Sequence, residues 1–374
     1  MSAFKLKSYE VLGELPNPFV FEDGSKVQSQ EDMIKRQKEM YKYCVELQYG
    51  TMPPAPEFVE VEPLFLESNV KCYRVTSGTR ENPIRFTMQI FFPSSEQKKR
   101  AAIISGDMCF EHVFDKEYIS TILEKDIMYV LFNRTEIVPD IKTEERKQPI
   151  HKAYPNCTFG AIGAWAWGYS RCVDALLKMG IVDERYITFA GHSRGGKTTL
   201  LAGILDERAS IVNPNETCAG GCGCYRLHMS VYAENVPADR SERLKDLMNN
   251  YGFWMGQGMR EYVDCEEELP FDCHFSKAMI APRTLFVSEA AGDFWANPIG
   301  SWQTTMAAKE VYKYFGVEEN LLWYFRDGEH NHTIGDLKLL VNIIENRRDG
   351  VALQDGFFRC PFEEKALMFN WRCP

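Results

Sequence analysis

The chain has 374 residues, 45% hydrophobic and 26% charged, which excludes wholesale disorder and allows a core that needs no disulfide or metal staple. Lys+Arg total 43 against Asp+Glu 53, for a net charge of −10, so the basic face that nucleic acids or anionic membranes require is not expected. No run approaches the roughly 18 apolar residues of a membrane span. The N-terminal stretch MSAFKLKSYEVLGELPNPFVFEDG has no long apolar segment and no Ala-x-Ala site, so it predicts a cytoplasmic protein, or a secreted one only if the chain is a trimmed form. Twelve cysteines follow no regular framework from Cys44 to Cys373 and are expected mostly as buried or free thiols.

Residues 1–60 combine polar stretches, a charged helix over Glu31–Gln48 and a Pro-rich exit at Met52–Pro56. They predict an arm packed on a core, with residues 61–374 as a single domain. Val70–Thr76 and Ile84–Phe92 read as strands by their β-branched and aromatic content. Short apolar runs follow at Ala101–Ser105, ending in Gly106-Asp107, and at Ile127–Phe132, ending in Asn133-Arg134. Phe159–Met179 has helical spacing and stops at Gly180. Tyr186–Ala190 is then a strand and Lys197–Asp206 a helix. Ala209–Val212 and Thr284–Ser288 are strands, Trp302–Phe315 a helix, Leu321–Phe325 a last strand and Leu337–Asn346 a closing helix. Buried strands alternating with helices predict an α/β fold with a mostly parallel central sheet covered on both faces.

Gly191-His192-Ser193-Arg194-Gly195 lies between the strand YITFA and a helix. Gly-x-Ser-x-Gly in that context is the nucleophile elbow of a hydrolase, its glycines required where a strained turn leaves no room for side chains. The same stretch, Gly191 to Thr198, also spells the phosphate-cradling P-loop, Gly-x-x-x-x-Gly-Lys-Thr. Against that nucleotide-binding alternative, several strands precede the motif and no later strand ends in an Asp to hold Mg²⁺. A hydrolase needs an acid and then a histidine further along. The loop after the last strand supplies His330 and His332, and the two preceding strands lead to Glu216 and Asp293.

These residues resemble the glucuronoyl esterases, carbohydrate esterase family 15, and their bacterial relatives. The resemblance rests on Gly191 to Lys197 at the elbow, and on Ala202-Gly203, Asp206 and Arg208 in the helix behind it. Pro214-Asn215-Glu216-Thr217, Gly220-Gly221 and Tyr225-Arg226 follow, with Phe132-Asn133-Arg134, Gly160–Gly168, Leu269–Asp272, Ala281-Pro282-Arg283 and Asp293–Pro298 elsewhere. It covers roughly residues 80–345 and implies an α/β-hydrolase fold. The spacing of Ser193 and Glu216 is the family's for nucleophile and catalytic Glu, so Glu216 is expected to matter more than Asp293. His330 is preferred to His332 as base. Some fungal members carry a cysteine before the nucleophile that forms a disulfide; here that position is His192, so the disulfide is not expected. Cys218, Cys222 and Cys224 are more than the family leads one to expect, but no His or fourth Cys follows at finger spacing, and neither metal nor cofactor is expected.

The resemblance implies a serine esterase acting on glucuronoyl esters of glucuronoxylan, as in lignin–carbohydrate bonds. Ser193 attacks the ester carbonyl while His330 takes its proton. The oxyanion meets the Arg194 backbone N–H, and by resemblance its guanidinium. Lys197, one helical turn after Ser193, and Trp295 are the candidate sugar contacts. A deacetylase of acetylated xylan or another glycan is the alternative with the same triad. A hydrolase fold retained only for binding is a further one. The expected partner is a carbohydrate ester, with no nucleic acid and no membrane.

Overall fold

The computed structural model describes residues 8–142, 146–233, 236–360 and 367–374. Strand β1 (Ser8–Val11) and helix α1 (Gln30–Tyr41) come first, then β2 (Phe58–Leu66), β3 (Val70–Gly78) and β4 (Pro83–Phe91). Next are β5 (Arg100–Ser105), α2 (Lys116–Leu123), β6 (Ile127–Phe132), α3 (Pro149–Ala153) and α4 (Ala161–Met179). They lead to β7 (Val182–His192), α5 (Arg194–Leu205) and β8 (Ile211–Asn215). The remainder is β9 (Leu227–Ala233), β10 (Val236–Arg240), α6 (Leu244–Tyr251), α7 (Cys273–Ala278), β11 (Thr284–Ala290), α8 (Pro298–Tyr314), β12 (Leu321–Arg326) and α9 (Ile334–Asp349). Two compact units result: Thr51–Asn213 with His332–Asp355, and the segment up to Gly50 with Pro214–Asn331 and the chain from Gly356 onward.

In the unit containing Thr51–Asn213 the strands are ordered β7-β5-β6-β4-β3-β2. β5 pairs in parallel with both β6 and β7. Every residue of β5 (RAAIIS) and β6 (IMYVLF) is buried, the pattern of strands covered on both faces. β2, β3, β4 and β6 pair antiparallel in succession. The expected mostly parallel sheet thus gives way to a meander at this end, where only residues 67–69 join β2 to β3 and only residues 79–82 join β3 to β4. A parallel crossover needs about a dozen residues or more. β2 carries Glu60, Glu62 and Pro63 and is exposed over Glu62–Leu66, the composition of an edge strand. α4 ends where Gly180 adopts φ 68°, a left-handed cap that glycine tolerates without a Cβ penalty.

In the other unit β11 and β12 run parallel, with Ala290 opposite Arg326 at their ends. The loops carrying Asp293 and His330 therefore leave from adjacent strand ends. β1, β9 and β10 form an antiparallel sheet none of whose strands the sequence pattern predicted. Beneath it Leu15, Leu227, Met229, Ile299, Met368 and Phe369 form an apolar cluster. The N-terminal segment is tied in by the Leu15 N–H donating to Met368 O at 2.7 Å and by Gln37 Nε2 donating to Ala278 O at 2.9 Å. No disulfide joins any of the twelve cysteines among the described residues. Among the described residues no helix is long and apolar enough to cross a membrane.

Candidate active site

β7 delivers the chain into a sharp turn at Ser193, whose φ of 57° and ψ of −121° put a non-glycine residue in sparsely populated backbone space, at a cost of about 1–3 kcal/mol. The turn leaves no room on either side. A Cβ at Gly191 would lie 2.6 Å from the Gly195 carbonyl oxygen, and one at Gly195 would collide with the Asp107 carboxylate. Ser193 is the cap residue of α5, and its carbonyl accepts the Lys197 N–H at 2.9 Å. Because the helix begins at Arg194, Gly195, Gly196 and Lys197 are already helical. A P-loop instead needs the residues between its two glycines, here His192–Gly195, in an open loop whose amides surround a phosphate, whereas Arg194 and Gly195 are helical. The stretch is an elbow.

Arg194, the first helical residue, extends its guanidinium to Asp140, with Nη1 2.8 Å from Oδ2 and a side chain 36% exposed. Lys197 is buried at 2% exposure and does not face bulk solvent. The elbow is braced from below. Asp107 is buried, and its Oδ2 accepts the His192 backbone N–H at 3.0 Å. Its Oδ1 accepts from the fully buried Arg134. Tyr169 Oη donates to Ala190 O at 3.0 Å and lies 2.9 Å from Thr199 Oγ1, joining the end of β7 to α5. His332, at 6% exposure, belongs to this unit; its Nδ1 is 3.1 Å from the Tyr118 hydroxyl, and its ring stacks near that of His192.

The loops after β8, β11 and β12 assemble a separate cluster around His330. His330 Nδ1 donates to Asp293 Oδ2 at 2.5 Å and lies 3.4 Å from Glu216 Oε2. Asp293 is held by the Ala296 N–H, 3.1 Å from its Oδ1. Glu216, fully buried with φ 44°, accepts from Arg326 and from the Asn331 N–H at 2.8 Å. Its backbone N–H reaches Ser288 O at 3.1 Å, while Asn215 Nδ2 reaches Ser288 Oγ at 2.8 Å. Both expected acids thus meet the same imidazole, with the shorter contact made by Asp293.

Burial alone would lower the His330 pKa, but the hydrogen bonds and charges of Asp293 and Glu216 outweigh it and raise it to about 9. Burial pushes the Glu216 carboxyl above its ordinary value, against the hydrogen bond to His330 and the charge of Arg326. Nδ1 faces the two carboxylates, so a proton exchanged by this imidazole would pass through Nε2. Trp295, two residues after Asp293, is 36% exposed, with the Arg240 guanidinium 5.7 Å from its ring centre. It is not a core aromatic.

Sequence reasoning did not assign roles to Asp107, Arg134, Asp140 or Arg326. Three of them had a positional signal. Asp107 and Arg134 stand two residues beyond the ends of β5 and β6, and Arg326 is the last residue of β12. In open α/β sheets the carboxyl ends of strands carry the site.

Parallel strands β5, β6 and β7, with a strained serine between a buried strand and a buried helix, define an α/β-hydrolase. The chain belongs to the glucuronoyl esterase family: the model of that family described as glucuronyl esterase of fungi matches residues 75–316. A curated relative is the 4-O-methyl-glucuronoyl methylesterase 1 of Phanerochaete chrysosporium, 29% identical over 82% of this chain and 63% of its own length. Another is the 4-O-methyl-glucuronoyl methylesterase of Podospora anserina, 29% identical over 86% of this chain and 64% of its own. The chain therefore spans a little under two thirds of these relatives. Among solved structures, a family 15 glucuronoyl esterase from Caldicellulosiruptor kristjansonii superposes with a TM-score of 0.85 at 26% identity, covering 97% of this chain and 98% of that one.

Proposed function

We propose that this protein hydrolyses glucuronoyl esters through an acyl-enzyme on Ser193. The observation that carries the reading is the elbow itself. Ser193 holds a strained conformation at the head of a buried helix, within the span that matches the family. His330 accepts the Ser193 proton at Nε2 as Oγ attacks the ester carbonyl, and returns it to the leaving alcohol. Asp293 orients the imidazole directly. Glu216, fixed by Arg326 and Asn331, adds a second charge that stabilises the imidazolium. The oxyanion is met by the Arg194 N–H at the positive end of α5, with the guanidinium adding to it. A water then hydrolyses the acyl-enzyme with His330 acting again as base.

The substrate assignment follows the names of the curated relatives and the placement of Lys197. In a glucuronoyl ester the sugar ring is attached to the attacked carbonyl carbon, so its hydroxyls come within reach of a cation one helical turn from the nucleophile. An acetyl ester offers only a methyl group there. Trp295 supplies an exposed indole for stacking on a sugar face. We further propose that glucuronoxylan fragments are the carbohydrate partner. The test is a panel of methyl and benzyl glucuronate, acetylated xylo-oligosaccharides and p-nitrophenyl acetate on the purified protein. Glucuronate esters are expected to be preferred. Efficient deacetylation with no glucuronate turnover would overturn the substrate assignment and leave the serine mechanism standing.

A further inference from the structure

We infer that Asp107 is a positioning residue for the nucleophile: its carboxylate, oriented by Arg134, fixes the turn that carries Ser193. The inference rests on Ser193 being the nucleophile, as proposed above. β5 and β6 run parallel with Ser105 opposite Leu131, so Asp107 and Arg134 emerge side by side at one end of the sheet. β5 is also the parallel neighbour of β7, so the same end faces the elbow. One carboxylate then contacts both arms of the turn. Its Oδ2 accepts the N–H of His192, immediately before Ser193, at 3.0 Å. It also lies against the Cα of Gly195, two residues after Ser193, where an added Cβ would come within 2.7 Å of Oδ2. A strained backbone persists only where its surroundings over-determine it, and this carboxylate constrains the turn from both sides.

Arg134 has two effects. It orients the carboxylate, donating to Oδ1 and also to Gly106 O at 3.4 Å. It is itself fixed between the rings of Phe110 and Trp165, at 5.1 and 5.0 Å from their centres. It also cancels a negative charge beneath the elbow, where the carbonyl oxygen of an attacked ester becomes an oxyanion. The pair is a poor device for stability alone. Both side chains are buried, and Arg134 Nε and Nη2 have no hydrogen-bond partner among the described residues. A buried ion pair of that kind is no better for stability than an apolar replacement. Its contact with the elbow accounts for it.

The test compares Asp107→Asn and Asp107→Ala with wild type in three readouts: thermal midpoint, kcat and KM on benzyl glucuronate, and the rate at which a fluorophosphonate labels Ser193. A misplaced nucleophile predicts a fall in kcat of about 100-fold for Asp107→Ala and a smaller fall for Asp107→Asn, with the labelling rate falling in parallel. Asn keeps the shape and one acceptor oxygen, and KM should stay within about threefold because the sugar contacts remain. A purely structural residue would lower the thermal midpoint while leaving kcat and labelling of the folded fraction unchanged, and that result overturns the inference. Should neither variant fold, hydrogen exchange of the His192 amide in the wild-type protein decides. Strong protection supports the contact, and exchange at the rate of an open turn contradicts it. Ser193→Ala is the control: if it retains activity, the nucleophile assignment has failed, not the role of Asp107.

Discussion

The elbow around Ser193 and the cluster around His330 are built on opposite principles. The elbow is made of backbone. Two glycines, a strained φ and the first turn of α5 place the hydroxyl, and a single carboxylate braces them. The His330 cluster is made of side chains from three loops. Asp293 and Glu216 meet one imidazole through charge-assisted contacts, and Arg326 pairs with Glu216. The difference teaches where each part should fail. The elbow tolerates almost no change of shape, whereas the cluster holds two carboxylates on one histidine and can lose one of them.

The sharpest way to break this contrast is at the histidine. His330→Ala should lower kcat on glucuronate esters by about 10⁴-fold, the loss usual for a triad member. His332→Ala should retain most activity, since the His332 ring nitrogen Nδ1 is engaged by the Tyr118 hydroxyl. Steady-state kinetics of the two variants decide, and near-complete loss in His332→Ala with an active His330→Ala would exchange their roles. A smaller effect is expected at the acids. Asp293→Asn should cost about 10²–10³ in kcat, less than the roughly 10⁴ of a triad acid that has no substitute, and Glu216→Gln less again, because Asp293 makes the 2.5 Å contact and Glu216 the 3.4 Å one. The double variant should be far worse than either single. Two small additive losses would show that neither carboxylate orients the base.

A milder consequence concerns pH. His330 must be neutral to accept a proton, and its pKa is raised from 6.5 to about 9. Activity should therefore rise with pH, with the ascending limb of kcat/KM displaced above 6.5 toward that value. Glu216→Gln removes one of the charges that raise it, so the limb should move to lower pH. A limb at 6.5 that Glu216→Gln leaves in place would contradict the coupling. The smallest effect belongs to Lys197. Lys197→Ala should weaken glucuronate hydrolysis by about 1–3 kcal/mol and leave p-nitrophenyl acetate nearly untouched, as measured by the ratio of the two kcat/KM values. Equal losses on both substrates would make Lys197 a structural residue.

The two regions also differed in how far they could be read from sequence. The elbow was legible because its signal is local: strand YITFA, two glycines around a serine, then a helix. The helix begins three residues earlier than the apolar pattern suggests, because Ser193 is itself the cap. Around His330 the candidates were legible as residues following apolar strands, but not which of them makes the shorter contact. Spacing from Ser193 pointed to Glu216, whereas the closer contact comes from Asp293, a matter of side-chain reach across loops. The Asp107–His192 contact joins residues 85 apart and left no trace beyond the place of Asp107 after a strand. Among the strands, β5, β6, β7, β11 and β12 were visible as apolar runs. β2 was hidden by its glutamates and proline, and β1, β9 and β10 by being short or polar.

The most direct test is the turnover of benzyl glucuronate by wild type and by Ser193→Ala, measured on folded protein at equal concentration. The account predicts readily measurable hydrolysis by wild type and a loss of about 10⁴-fold or more in the variant, with little change in thermal midpoint. Hydrolysis by Ser193→Ala at more than a few per cent of the wild-type rate, a loss of only about 2 kcal/mol against the roughly 5.5 kcal/mol of a 10⁴-fold fall, would contradict it.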